Sequence, residues 1–540
     1  MNDTLEQMRL KNMTVNTLPF FACLAISAML YYAAPRKYRW MVLLGVSLLF
    51  YHWMGVDNFL YVLITTATLV VSTRRMQALD EKAAAKLREN PEGLTREEKK
   101  QIKSQTKAQK RLWLVCGVLL TNLGILLVLK YGNFFIGNVN RIFEYAGLNT
   151  INRLGLAAPL GISYYTLQSI GYALEVYKGK TAPEKNPFKV LLFVTYYPQM
   201  TQGPIGRYPD LAPQLFEGQE FRYENLTMGC QRILWGMFKK VVIADHMKPL
   251  VTTIFGAYET ASGFTLFMGC VYMALQIYAD FSGYTDIVLG ASRIYGIRMS
   301  ENFERPYFAK SLSDFWRRWH MSLSSWFRDY VFYPVSISHG AVKLSKTGKK
   351  IFSARLRKLF PVILALAVVW FCTGFWHDAS WRYIFWGIGN GGVIALGLIL
   401  QPQFDWMKKK LHIREDAWWW QGFSMLRTFL VVALLKVFPG ADSTMQSLAI
   451  VRQMMFHFSP ALTREALFPG MRLYELAYIA FGLLLLLAVS LLECKTTIYE
   501  WLARRPLVLR WGIYLCLIAA IIAFGAFNSK MAGGFEYAQF

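Results

Sequence analysis

The hydrophobic pattern of this chain consists of long apolar blocks separated by short polar stretches. Most blocks approach the roughly 20 residues that a helix needs to cross a bilayer, and the shorter ones suit tilted or half-buried helices. The blocks that are nearly free of charge are residues 15–34, 61–72, 112–129, 360–375, 384–400, 473–492 and 511–527. By the length criterion, this pattern predicts an all-α, polytopic integral membrane protein of about 11–13 helices.

The middle of the chain, residues 183–333, departs from this pattern. Its apolar runs are short and are interrupted by Gly, Pro and charged residues. Between Tyr197 and Arg207, two prolines and two glycines argue against a continuous spanning helix, because backbone groups freed in hydrocarbon would go unsatisfied. Irregular backbone at that depth is tolerated only inside protein or beside a watery cavity, so we predict a re-entrant or funnel-lining segment.

Charged residues are concentrated between the apolar blocks. Hydrophobic residues make up 54% of the chain, and 59 Lys and Arg against 34 Asp and Glu give a formal net charge of +25. Cations clustered in loops form the positive-inside pattern of membrane proteins and argue against a nucleic-acid partner. We place the basic stretches 74–111, 343–358 and 408–414 in the cytosol, and the N-terminus and the tail 528–540 outside it.

Neither an internal repeat nor a Pro/Ser-rich linker divides the chain, so residues 1–540 are predicted to form one membrane domain. Stretch 74–111 is the exception. Its composition, with a break at 90–93, predicts a basic hairpin of two short cytosolic helices without chemistry. The seven cysteines include no Cys-x-x-Cys pair, so neither a structural zinc site nor a disulfide framework is expected.

The densest polar cluster runs from 313 to 329 and combines Arg, Asp and Trp with one histidine. On a helix, Trp316, Trp319 and His320 would share a face flanked by Asp314 and Arg317, as in an interfacial helix with its aromatic rings among the headgroups. The alternative is functional, because an ionisable residue that faces the interior of a membrane protein usually belongs to a pathway. The residues alone leave both interpretations open for the helix.

A second histidine, His377, ends an apolar block in the sequence Thr-Gly-Phe-Trp-His. Such a residue can be a satisfied core or interface histidine. A chemical role is also available, because a neutral imidazole in a low-dielectric channel can take the proton from a hydroxyl that attacks a thioester.

Two carboxylates, Asp280 and Asp286, interrupt a further apolar run. Six residues apart on a helix, they would lie on different faces, which favours buried hydrogen bonding over a paired-acid mechanism. The glycines between 387 and 392 also lie in an apolar block, where small residues favour close helix packing over nucleotide binding.

Together these segments resemble the membrane-bound O-acyltransferase family, and most closely its bacterial alginate O-acetyltransferase branch. The resemblance runs from about 155 to 390 in family order and implies a channel fold with re-entrant segments. The matching stretches are PLGISYYT at 159–166, YPQMTQGPI at 197–205, QIYADFSGYTD at 276–286, ENFERPY at 301–307, DFWRRWHMSLS at 314–324 and TGFWH at 373–377.

The resemblance implies roles for individual residues. His377 matches the family's presumed catalytic histidine, and His320 its other recurrent polar position. Two positions depart from the family pattern, because Asp378 stands where relatives commonly have Gly and Asn390 where many have a second His. We expect these departures to affect donor or acceptor preference. The residues predicted to line the channel or to hold the substrate are Trp376, Asp314, Arg317, Arg318, Trp319, Ser324 and Asp280.

The last six residues, FEYAQF, fit an F-x-Y-x-x-F ending that resembles an acyl-carrying motif of bacterial members that modify cell-surface polymers. On that resemblance Tyr537 takes the acyl group as a phenolic ester and passes it on. The structural alternative is an aromatic anchor at the membrane interface.

The resulting hypothesis is acetyl transfer across a bacterial cytoplasmic membrane. Acetyl-CoA would be the donor, with basic residues holding its phosphates, and no further cofactor is expected. The expected partners are the lipid bilayer, an extracytoplasmic SGNH-type acyltransferase and, through it, a polysaccharide acceptor. Two alternatives are D-alanyl transfer to teichoic acid and a non-catalytic scaffold in an export complex.

Overall fold

The computed structural model describes residues 15–53, 59–89, 93–156, 158–159, 161–347 and 353–527. Across these ranges the regular elements are helices, and the prediction of an all-α polytopic protein is confirmed. The chain divides into two compact units. The first contains residues up to 229 together with 291–299, and the second contains 230–290 and the chain from 300 onward.

The first unit surrounds a buried irregular segment. Its helices are α1 (Leu18–Ala33), α2 (Arg39–Trp53), α3 (Phe59–Glu89), α4 (Arg96–Leu112), α5 (Thr121–Leu126), α6 (Gly132–Tyr145), α7 (Ile162–Tyr177), α8 (Pro187–Thr195) and α9 (Tyr208–Phe216), followed by the start of α10 (Tyr223–Phe238). The turns Trp113–Leu120 and Leu127–Tyr131 are π-helical, so α4, α5 and α6 join into one continuous helical rod.

Residues 196–206 form the irregular segment that the Pro and Gly content predicts. Tyr197 is fully buried, and its hydroxyl lies 2.8 Å from that of Tyr295. The amide of Gln199 donates to Gln168, which in turn donates to the carbonyl of Phe193. Protein groups therefore supply hydrogen bonds to the side chains of Tyr197 and Gln199 inside this segment.

The basic stretch 74–111 differs from its prediction. Instead of a short first helix, α3 runs for 31 residues from the apolar block through Arg74 to Glu89. The second helix, α4, begins as expected, with a capping box between Thr95 and Glu98. Composition alone could not show that the apolar and charged halves of α3 share one helix, since good helix formers continue without a break between them.

The second unit contains the remaining helices. They are α11 (Asp245–Gly256), α12 (Gly263–Ile294), α13 (Leu312–Arg318), α14 (Met321–Phe327), α15 (Tyr333–Ser336), α16 (His339–Thr347), α17 (Ala354–His377), α18 (Trp381–Ile399), α19 (Gln401–Lys410), α20 (Trp418–Leu435), α21 (Val437–Gly440), α22 (Thr444–Phe456), α23 (Arg464–Leu467), α24 (Leu473–Leu492), α25 (Ile498–Ala503) and α26 (Leu507–Phe524). A π-helical turn, Lys239–Ala244, joins α10 to α11.

Seven helical segments among the described residues are long and apolar enough to cross a membrane. Two of them, Gly263–Ile294 and Trp418–Gly440, are absent from the blocks read from the sequence, because ionisable residues interrupt their hydropathy. The total number of spans and the sides on which the termini lie stay predictions. The seven segments are Arg96–Tyr145, Gly263–Ile294, Ala354–His377, Trp381–Ile399, Trp418–Gly440, Leu473–Leu492 and Leu507–Phe524.

Helices α17 and α18 approach each other closely at glycines. A Cβ on Gly374 would collide with the backbone carbonyl of Tyr383, and one on Gly387 with that of Trp370. The prediction that the Gly-rich run of α18 serves close helix packing is confirmed. This contact fixes the end of α17, where His377 lies.

Buried ion pairs connect α12 with the π-helical turn. Lys240 contacts Asp245 at 2.7 Å and Asp280 at 2.8 Å, and all three side chains are at most 2% exposed. Asp286, on another face of α12, pairs with Lys239 at 2.5 Å and with Arg232 at 3.0 Å. The two carboxylates thus occupy different faces and take part in buried polar contacts, as their spacing predicts.

Candidate active site

The segment around His320 is two helices joined by a sharp bend. Helix α13 ends at Arg318, Trp319 is extended, and His320 adopts a left-handed conformation with φ 47° before α14 begins at Met321. The prediction of a single helix with Trp316, Trp319 and His320 on one face is therefore wrong. A left-handed histidine costs backbone energy and persists only where surrounding contacts enforce it.

Backbone contacts with residues 302–304 hold this bend. Trp319 forms an isolated β-bridge with Phe303, and the amide of Met321 donates to the carbonyl of Asn302 at 3.0 Å. Ser324 donates its hydroxyl to the carbonyl of Trp319 at 3.3 Å. Ser324, predicted to hold substrate, is thus also part of the bend that orients His320.

The hydrogen bonds of Asn302 define the tautomer of His320. The Asn302 Oδ1 atom accepts from the Ser322 amide at 3.1 Å, and an amide can only donate, so the atom is an oxygen. His320 Nδ1 lies 3.2 Å from the same atom and must therefore donate to it. Burial lowers the pKa of His320 to about 3, so the ring is neutral at physiological pH and its Nε2 atom carries the lone pair.

His377 is the last residue of α17 and is 4% exposed. Its ring is surrounded by aromatic side chains, with Trp376 at 5.0 Å, Trp386 at 5.1 Å and Tyr383 stacked at 6.2 Å between ring centroids. An aromatic enclosure keeps the local dielectric low, and this strengthens the interaction of the imidazole with any charge that forms beside it.

The structure brings the two histidines together. Their ring centroids are 6.5 Å apart, and the ring of Trp376 lies beside both, 6.1 Å from His320. Phe281 contacts the other side of His320 edge-on at 4.9 Å. Two buried imidazoles, one of them a neutral base with a defined tautomer, are suited to moving a proton during group transfer.

Three other predicted residues lie in a separate polar cluster. Asp314 accepts from Arg318 at 3.1 Å and lies 3.5 Å from Arg317, whose side chain is 73% exposed. Among the described residues, these charged groups contact neither His320 nor His377. Asp280 forms an ion pair with Lys240, and its neighbour Phe281 contacts the ring of His320.

The two departures from the family pattern have structural partners. Asn390 is buried, accepts from the indole of Trp316 at 3.1 Å and donates to the carbonyl of Trp386 at 2.8 Å. Asp378 lies 3.7 Å from Arg382. Asn390 therefore orients the indole of Trp316, which packs at 5.6 Å against the ring of Trp386.

Sequence reasoning missed three residues of the site. Asn302 orients His320, Phe281 contacts it, and Lys436 lies over the rings of Trp319 and Trp386. The signal for Lys436 was available, since a lone lysine in an apolar run is a candidate functional residue. Tyr537 and the rest of the tail lie outside the described residues.

We expect Asn302→Leu to reduce transfer activity by about tenfold or more, because His320 loses the acceptor that fixes its tautomer and orientation. Ser322→Ala is the matched control, since it removes a hydroxyl bond to the same Oδ1 atom and leaves the bond to His320 in place. Initial rates of acyl transfer, measured on variants with wild-type thermal stability, test this. Equal activity in the two variants would show that the tautomer is not needed.

The helical membrane fold and the two adjacent buried histidines are compatible with a membrane acyl-transfer enzyme. Comparison with known proteins establishes this class. Residues 184–435 match the model of MBOAT, the membrane-bound O-acyltransferase family. The chain belongs to this family, and by class it is an O-acyltransferase in a multi-pass membrane setting.

Its relatives include two probable alginate O-acetylases AlgI. The one from Azotobacter vinelandii is 31% identical over 368 residues, 68% of this chain and 65% of the relative. The one from Pseudomonas putida is 33% identical over 388 residues, 71% of each chain. A peptidoglycan O-acetyltransferase from Helicobacter pylori is 30% identical over 381 residues, 65% of this chain and 66% of the relative. The matches thus leave about a third of each of these relatives unaligned.

Proposed function

We propose that this chain transfers an acetyl group from cytosolic acetyl-CoA to its own Tyr537, for delivery to an exported or cell-surface polysaccharide. The observation that carries the proposal is the buried pair of His320 and His377, with ring centroids 6.5 Å apart. A neutral imidazole in a water-poor site is the group that can deprotonate a hydroxyl near pH 7.

In the proposed step, His377 takes the phenolic proton as the tyrosine oxygen attacks the acetyl carbon of the thioester. A carbon–oxygen bond forms, the carbon–sulfur bond breaks, and the departing CoA thiolate takes the proton from His377. The products are an acetyl phenolic ester and free CoA. His320, oriented by Asn302 and adjacent to His377, positions the reacting groups.

The acetyl group and the polysaccharide acceptor are supported by the relatives. Those that match over the largest share of the chain are named for O-acetylation of alginate, and another for O-acetylation of peptidoglycan. Acetyl-CoA is the common cytosolic acetyl thioester, and the basic stretches that we assign to the cytosol supply cations for its phosphates.

Onward transfer requires a second protein outside the membrane. The tail 528–540 carries Tyr537 in its F-x-Y-x-x-F ending, and we place it on the extracytoplasmic side of a bacterial cytoplasmic membrane. There an SGNH-type acyltransferase would take the acetyl group from the phenolic ester and pass it to a polysaccharide hydroxyl. A carrier tyrosine on this chain favours acetylation over D-alanyl transfer. In the related D-alanyl transferases, the resemblance implies that the carrier tyrosine lies on a separate small protein.

We expect purified wild-type protein in nanodiscs, incubated with isotopically labelled acetyl-CoA, to gain one acetyl group on its C-terminal peptide. Tyr537→Phe should lose this label, because it lacks the phenolic oxygen. Tyr145→Phe is the control, since Tyr145 is 96% exposed and distant in sequence from the tail. Peptide mass spectrometry locates the label. An unlabelled wild type would rule out acetyl-CoA as donor, and label that persists in Tyr537→Phe would rule out this carrier.

A further inference from the structure

Lys436 is a buried cation beside the histidine pair. It lies at the junction of α20 and α21 and is 5% exposed. Its Nζ atom lies 5.1 Å from the ring centroid of Trp319 and 5.6 Å from that of Trp386. Both rings border the site: Trp386 contacts His377 at 5.1 Å, and Trp319 packs at 6.4 Å against Phe281, the ring that contacts His320.

The other buried lysines of the described residues all have a carboxylate partner. Lys110 pairs with Asp80 at 2.6 Å, Lys239 with Asp286, and Lys240 with two aspartates. Lys436 differs, because within the described part of the chain its ammonium makes neither an ion pair nor a hydrogen bond, and only the two indole rings face it.

Burying the ammonium of Lys436 between two indole rings is energetically unfavourable unless an anion binds next to it. Cation–π contacts recover less free energy than it costs to bury an ammonium without a counter-ion. A permanent carboxylate would remove this cost but would also neutralise the cation. The absence of one among the described residues leaves Lys436 ready to bind an anion that is present only during the reaction.

We propose that Lys436 is a catalytic residue that stabilises the oxyanion formed from the thioester carbonyl. This inference rests on the proposed acetyl transfer and adds to it a residue and a role. When the tyrosine oxygen bonds to the acetyl carbon, the carbonyl electron pair moves onto oxygen and creates a negative charge. When the intermediate collapses, that pair re-forms the carbonyl and CoA leaves as the thiolate. Lys436 keeps its protons throughout and supplies charge alone.

The positive charge of Lys436 should have a strong effect on the rate of acetyl transfer. Preorganised charges act with little solvent screening in a water-poor enclosure, and removing one oxyanion-stabilising donor typically costs about 100- to 1,000-fold in rate. Because the oxyanion exists in the transition state and not in the bound thioester, its loss should lower the maximal rate and leave donor binding unchanged.

The test compares Lys436→Met and Lys436→Arg with wild type in single-turnover labelling at increasing concentrations of acetyl-CoA. We expect Lys436→Met to lower the maximal labelling rate about 100-fold at an unchanged half-saturating concentration. Lys436→Arg should retain more activity than Lys436→Met because it keeps the charge. Lys37→Met is the matched control, since it removes a lysine 4.8 Å from the exposed ring of Tyr38, outside the site and outside the basic stretches assigned to CoA.

A wild-type rate in Lys436→Met would overturn the proposal, and so would an increase in half-saturating concentration alone, which indicates an anchor for CoA phosphate. A wild type without label would overturn the proposed acetyl transfer and this role with it, whereas labelled wild type with an unaffected variant overturns only the role of Lys436.

A measurement on the wild type covers the case in which Lys436→Met does not fold. S-carboxymethyl-CoA carries a carboxylate close to the position of the oxyanion, and S-acetonyl-CoA is a neutral analogue with the same number of heavy atoms. We expect the carboxymethyl compound to inhibit labelling at a concentration at least about tenfold lower, in line with one charge-assisted contact. Equal inhibition by the two compounds would contradict a free cation at the acyl position.

Discussion

Replacing His377 with glutamine is expected to lower the rate of acetyl labelling by about 100- to 10,000-fold, the contribution typical of a general base. Glutamine keeps polar atoms of comparable reach but cannot take a proton. His377 is buried at the end of α17 among Trp376, Tyr383 and Trp386, and none of these three side chains can take over its role as base. Single-turnover labelling with acetyl-CoA, followed by intact mass spectrometry, measures the effect.

The control is His457→Gln, because His457 is exposed and follows α22, outside the site. It should label at the wild-type rate. Labelling of His377→Gln at that same rate would refute the role of His377 as base. Thermal unfolding of both variants in detergent separates loss of chemistry from loss of fold.

The second large effect is expected on stability. Lys240→Met should destabilise the second unit by about 3–5 kcal/mol, because it removes the cation that contacts the buried carboxylates of both Asp245 and Asp280. Methionine preserves most of the side-chain volume, so packing contributes little to the loss. The shift in thermal midpoint or in the denaturant midpoint of the purified protein reports this effect.

The double variant Lys240→Met with Asp280→Asn provides the comparison. Removing one of the two buried charges should recover part of the lost stability, since breaking a buried pair costs more than replacing it. If the double variant were less stable than Lys240→Met alone by the full cost of Asp280→Asn, the ion pair would not be the source of the effect.

The sequence predicts the fold class well because the strongest signals, apolar length and loop charge, are themselves what a bilayer selects. It fails where polar residues are satisfied inside the protein. Helix α12 carries Asp280 and Asp286 in its interior, and the segment Trp418–Gly440 carries Arg427 and Lys436. Their charges lower the hydropathy of each segment, and only the structure reveals the partners of the two aspartates.

The candidate active site, like the fold, was predicted from the sequence only in part. The resemblance to the O-acyltransferase family identifies His377 and His320 as site residues, and the structure places them together. The bend at Trp319 and His320 contains neither Gly nor Pro. The sequence therefore gives no local signal that the helix ends there, and the pattern of one continuous helix is predicted across the bend. The left-handed histidine is enforced by contacts with Asn302 and Phe303, which lie 16 to 18 residues earlier and cannot be read from local sequence.

The π-helical turn Lys239–Ala244 has a consequence for how this protein can be altered. Lys240 and Asp245 are five residues apart, a spacing that in an α-helix separates two side chains by about 140° around the axis. The wider turn brings them together at 2.7 Å. Such a turn corresponds to one extra residue inserted into an α-helix. Deleting one of residues 241–244 would restore α-helical winding and leave Lys240 and Asp245 four residues apart, again on one face of the helix. The turn therefore accommodates an extra residue without loss of the buried ion pair.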